Sequence, residues 1–165
     1  MATFWFISAP LFGHLDWGGF LKTAHSLQQR GHQVTWVSEA QIGGAVTSAG
    51  IPFTPIRRTG WLWPPAPAPD LSTIPPQQAV TLRYKRALDT WLSENLVAEG
   101  VEALLELADQ IGKPDLIAAD PFLSAAALAA EALNVPLAVC GWPAQRDLND
   151  EYLFPVQKTL SSDSH

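Results

Sequence analysis

The chain has 165 residues, 47% hydrophobic and only 16% charged, a composition that supports one compact domain with a sizeable core and excludes a disordered segment. Its net charge of −6 comes without any basic run longer than Arg57-Arg58 and the loose Arg83, Lys85, Arg86 group. That excludes the phosphate-neutralising stripe of a nucleic-acid binder. A single cysteine, Cys140, excludes an internal disulfide framework and a cysteine-clustered zinc site, and is expected to serve as a small apolar residue in a buried strand.

The first residues, Met1-Ala2-Thr3, run straight into an apolar segment without the basic start and small-residue cleavage site of a signal peptide. No apolar run reaches the ~20 residues that a membrane helix requires, so a cytoplasmic location is expected. Residues 4–9 read as a buried strand that stops at Pro10. A loop, Pro10-Leu11-Phe12-Gly13-His14, leads to a helix in which Phe20, Leu21, Ala24 and Leu27 recur at helical spacing and which stops at Arg30-Gly31. Residues 34–37 form the second expected strand and 42–49 the second helix. Residues 51–56 form a third strand, weakened by Pro52 and Pro55.

Residues 57–76 make a long proline-rich loop without periodicity, containing Trp61 and Trp63; loops of this length in compact domains more often serve function than connection. Residues 77–111 are helical in pattern, read as two helices broken near Gly100. A fourth strand at 116–119, an alanine-rich helix at 124–133 and a fifth strand at 136–140 follow. The chain is therefore expected to form one α/β, Rossmann-like domain over 1–145, with a polar tail over 146–165. Right-handed crossovers favour a parallel sheet in the order 3-2-1-4-5. Winding reverses between strands 1 and 4, and ligands of such sheets bind beyond the strand ends at this switch point.

Two polar residues fall there. His14 lies in the loop after strand 1, and Asp120 is the first residue after strand 4. An aspartate that accepts from one imidazole nitrogen leaves the other to take a proton from a hydroxyl. Asp120 also precedes Pro121 and a helix, so a helix N-cap is the competing reading, with His14 bonded to backbone. His25 and His32 read as structural, the latter suiting a helix C-terminus. Glu39, after strand 2, stands where a dinucleotide-binding domain holds a ribose. The loop after strand 1 lacks G-x-G-x-x-G, which leaves a nicotinamide enzyme a weak alternative.

Gly13-His14-Leu15, followed by a helix closing in Arg30-Gly31-His32-Gln33-Val34-Thr35, resembles the start of the family 1 glycosyltransferases, which include bacterial macrolide and carotenoid glucosyltransferases and the UDP-sugar enzymes of plants and animals. Pro114-Asp115-Leu116-Ile117 with Asp120, then an alanine-rich helix and Asn134-Val135-Pro136, is similar to a second segment of that family. The two matches span residues 4–142. The resemblance implies half of a two-domain GT-B architecture: the N-terminal, acceptor-binding half of an inverting enzyme, with a hexose moved from a nucleotide-sugar to a hydroxyl. It implies His14 as general base and Asp120 as the residue that orients it.

Where the family often has Asn-Pro, this chain has Asp16-Trp17-Gly18-Gly19. Asp16 is expected to cap the helix. Gly13 and Gly18 are the candidate donor-proximal positions, and Phe12, Trp17, Trp61, Trp63 and Trp142 the candidate walls for an apolar acceptor. The alternative for Trp61 and Trp63 is that they fold onto their own domain. The His-Cys-Gly-like donor segment does not occur; Cys140-Gly141 follows Val139. The expected partners are a small apolar acceptor and a C-terminal donor-binding domain, with self-association through the exposed interdomain face. No metal or resident cofactor is expected, the nucleotide-sugar being a co-substrate. The isolated chain is expected to be inactive, the alternatives being a non-catalytic small-molecule-binding module and a helper subunit.

Overall fold

A computed structural model of the chain describes residues 1–16, 19–68 and 70–140. Trp17, Gly18 and Trp142 lie outside the described residues, as does the segment expected to be a polar tail. The elements in order are β1 (Thr3–Ile7), a 3-10 turn (Phe12–His14), α1 (Phe20–Gln29), β2 (Gln33–Ser38), α2 (Gly43–Ser48) and β3 (Phe53–Pro55). After the long loop come α3 (Pro76–Trp91), α4 (Glu94–Ile111), β4 (Leu116–Ala119), α5 (Ser124–Ala132) and β5 (Leu137–Val139). The five strands form one parallel sheet in the order β3-β2-β1-β4-β5.

The apolar run of β1 is explained by helices on both faces. Trp5 and Ile7 point into one core with Val37, Ile117, Ala119 and the apolar sides of α4 and α5. Phe6 points the other way, into a core with Val34, Trp36, Ala118, Phe20 and Ala24 of α1, and Val46 of α2. Alternate residues serve opposite faces, so a strand covered twice shows no polar alternation. Pro55 in β3 and Pro52 just before it are tolerated because this strand is the sheet's edge; the Pro52 carbonyl still accepts from Trp36 N–H at 2.7 Å. α1 ends where expected: Gly31, at φ 81°, lets His32 N–H reach back to the Leu27 carbonyl at 3.1 Å.

Three expectations are corrected. The break in 77–111 falls at Leu92-Ser93, and Gly100 is buried inside α4. A Cβ at Gly100 would lie 2.8 Å from the Ala125 Cβ and from Gly60 N, and 2.9 Å from the Thr59 carbonyl carbon. Glycine is there because α4 touches backbone, a reason that outweighs its helix cost of about 1 kcal/mol. Asp16 does not cap α1. The cap position is Gly19, at φ 75°, with no side-chain cap bond; the Asp16 carbonyl instead closes a turn by accepting from Gly19 N–H at 3.3 Å. Cys140 stands just past β5 and is half-buried, since β5 is an edge strand with Leu137 and Val139 exposed.

Candidate functional site

The register of the sheet sets up the site. Ile7 of β1 pairs with Ala119 of β4, so the next residue, Asp120, emerges beside the chain leaving β1. Asp120 N–H donates to the Ile7 carbonyl at 2.9 Å, extending the ladder by one rung. On the β1 side the chain turns at Ala9-Pro10. The 3-10 turn then carries His14 back over the strand end, where His14 N–H donates to the Leu11 carbonyl at 3.0 Å. His14 and Asp120 meet, with Nδ1 of His14 hydrogen-bonded to Oδ2 of Asp120. Both side chains are buried, at 6% and 3% exposure.

Asp120 does not cap α5, whose cap position is Leu123 without a side-chain bond. Its Oδ1 accepts from Phe122 N–H at 3.0 Å, which closes a tight turn after β4, and its Oδ2 also lies 3.4 Å from Ala9 N–H. A carboxylate held by two backbone donors has little freedom, and it holds the imidazole in turn. With Nδ1 facing a carboxylate, the neutral ring carries its proton on Nδ1, and Nε2 is the basic nitrogen.

Aromatic rings pack against His14. Trp61 meets the His14 ring at 5.5 Å and 75°, and Phe122 lies 6.3 Å from it. Trp61 also packs on Phe122 at 5.9 Å and on Trp91, at the end of α3, at 5.6 Å. Trp61 is 7% exposed and so folds onto its own domain, against the histidine. Phe12 and Trp63 are exposed, at 66% and 41%, and Gly13 has open space where a side chain would stand. Along α3, Val80, Tyr84 and Leu88 are exposed, and a groove of about 300 Å³ is lined by Val80, Arg83, Tyr84 and Ala87.

The remaining candidates have other partners. Glu39 is buried, and its Oε1 accepts from Thr59 N–H at 3.1 Å and from the Thr59 hydroxyl at 3.0 Å, which turns it toward the long loop and away from any ribose role. His32 is structural: its Nδ1 accepts from Ala2 N–H at 3.2 Å, and its ring stands edge-on to Phe4. The half-buried His25 lies along α1 with its Cε1 near Gly50. Sequence reasoning missed Trp91, Phe122 and Thr59. Of these only Phe122, two residues after Asp120, had a local signal.

No protein-family model matches the chain, and no curated protein matches it. Solved structures do. The chain superposes on the glycosyltransferase of kitacinnamycin with a TM-score of 0.62 at 20% identity, over 98% of this chain and 36% of that one. Against CalG4, the calicheamicin glycosyltransferase, the TM-score is 0.63 at 19% identity, over 99% and 37%. Against SnogD from Streptomyces nogalater, a glycosyltransferase, it is 0.59 at 20% identity, over 86% and 34%. At these identities the likeness is one of fold: the chain has the α/β fold found in GT-B glycosyltransferases. It spans little more than a third of the length of these three structures.

Proposed function

We propose that the chain is the acceptor-binding half of an inverting glycosyltransferase, with His14 as general base and Asp120 as its orienting partner. The observation that carries this reading is the His14–Asp120 contact at the switch point of a sheet whose fold is shared with glycosyltransferases. In the proposed reaction Nε2 of His14 takes the proton of an acceptor hydroxyl as its oxygen attacks the anomeric carbon of a nucleotide-sugar. The bond from that carbon to the nucleotide phosphate breaks on the opposite face. The nucleoside diphosphate leaves with the bonding pair, and the configuration inverts. The Asp120 carboxylate stabilises the imidazolium that forms, and the Trp61 and Phe122 rings against His14 limit the approach of water on their side.

The acceptor in this reading is a small apolar molecule. In this reading the exposed rings of Phe12, on the turn that carries His14, and of Trp63, on the long loop, serve as apolar walls, and the same role is assigned to Trp17 and Trp142 from sequence. The donor is held by a second domain, with Gly13 as a donor-proximal position and the same role assigned to Gly18 from sequence. The test is His14→Ala in the native protein that carries this chain, assayed with a nucleotide-sugar and a hydroxyl acceptor. Loss of about 10²- to 10⁴-fold in kcat/KM is expected, the usual weight of general-base catalysis. Transfer within about threefold of the parent would remove His14 from the mechanism.

A further inference from the structure

We propose that Glu39 and Thr59 are positioning residues for His14, acting through Trp61; the inference rests on the reading of His14 as the base. Glu39 follows β2, and Thr59 and Trp61 lie on the long loop between β3 and α3. All three are buried, Thr59 at 1% exposure. The Trp61 backbone N–H lies 3.4 Å from the Thr59 hydroxyl oxygen and can only donate to it. The hydroxyl hydrogen therefore points to the Glu39 carboxylate, 3.0 Å away, and the same carboxylate oxygen also accepts from Thr59 N–H. The result is a directed relay, carboxylate to hydroxyl to backbone, with the charged group strengthening the bonds it accepts.

The relay ends on a ring that bounds the imidazole. Asp120 holds one nitrogen of His14, and the edge-on contact with Trp61 and the contact with Phe122 bear on the plane of its ring. A half-turn about the Cβ–Cγ bond would place carbon against Asp120, so holding the plane holds the base in its working orientation. The loop is pressed home from a second side, where Gly60 meets the side-chain-free surface of Gly100. The ion pairs of Arg57 with Glu102 and of Arg58 with Glu99 are solvent-exposed and contribute little. Glu39 is the buried anchor.

The experiment is NMR of the 165-residue protein labelled at histidine, reading the His14 Cε1–H shift and the ring's nitrogen shifts, with urea denaturation alongside. In Glu39→Ala and Thr59→Val the His14 Cε1–H resonance is expected to move toward the position of unstructured histidine, as the Trp61 ring current is lost. The nitrogen shifts are expected to report a mixture of tautomers. Glu39→Gln, whose amide oxygen still accepts from Thr59, is expected to keep the parent signature. A His14 signature unchanged in both Thr59→Val and Glu39→Ala, with only the urea midpoint lowered, would overturn the proposal by showing the relay to be structural. Thr59→Val preserves side-chain shape and serves if Glu39→Ala does not fold. None of these readings depends on sugar transfer, so a failed base assignment and a failed relay are told apart.

Discussion

Trp61 and Trp63 are two residues apart and lie in different worlds. Trp61 touches His14, Trp91 and Phe122 and is almost wholly buried, whereas Trp63 keeps two-fifths of its surface in water. Trp61→Ala is expected to lower stability by about 3–5 kcal/mol, the usual cost of emptying a large aromatic site, and Trp63→Ala, which gives up a half-buried ring, by clearly less, about 1–2 kcal/mol. Chemical denaturation of both variants checks this. If Trp63 walls an acceptor, its loss weakens acceptor binding in a protein that remains folded. Cys140 gives a pH prediction. Burial pushes its thiol above the ordinary value of 9.0. A raised pKa means that the fold favours the neutral thiol, so this contribution is complete below pH 9.0 and fades as the pH climbs through the folded value. Alkylation by iodoacetamide, which needs the thiolate, is expected to rise at higher pH in the folded protein than in urea. Equal profiles would count against the burial.

At the scale of elements, the contact of α4 with the loop at Thr59-Gly60 and with α5 separates two meanings of a helical glycine. Gly100→Ala gains about 1 kcal/mol in helix propensity and loses more, because the new methyl meets backbone atoms that cannot swing away. A net destabilisation of about 1–3 kcal/mol is expected by urea denaturation. Gly44 of α2 is exposed with open space around its Cβ position, so Gly44→Ala is expected to be neutral or to stabilise by up to about 1 kcal/mol. If both variants shift stability in the same direction by the same amount, close packing is not what keeps glycine at position 100. The same contact presses the loop that bears Trp61 toward the sheet, linking the packing of α4 to the surroundings of His14.

For the molecule as a whole, the proposed reaction divides its requirements between two halves. The described residues hold the His14–Asp120 pair and exposed apolar surface, and the solved structures of similar fold are nearly three times as long. The 165-residue protein alone is expected to give no detectable transfer from any nucleotide-sugar. Turnover by this chain would mean that the donor site is complete within it. Immunodetection of the native protein complements the assay: a mass twice that of the 17.9 kDa chain or more fits one enzyme in two domains. A native mass near that of the chain points to a separate donor-binding subunit or to a module that only binds ligand. No helix of the described residues is long and apolar enough to cross a membrane.

The sequence by itself determined the order of elements, the parallel sheet with its switch between β1 and β4, and the placing of His14 and Asp120 at the ends of adjacent strands. These follow from apolar runs, helix stops such as Gly31, and the right-handed crossovers that limit how alternating strands and helices can be ordered. Tertiary structure alone decided what the buried polar and small residues are for. Gly100 read as a break because a missing side chain has the same local signature whether it ends a helix or admits a neighbour. Glu39 had only a weak ribose reading to offer, because nothing near it in sequence reveals Thr59, twenty residues on. Asp120 kept two readings because a carboxylate before Pro121 suits a cap as well as a dyad. Only the fold, by bringing His14 across more than a hundred residues to its Oδ2, gave that oxygen a partner that no local pattern encodes.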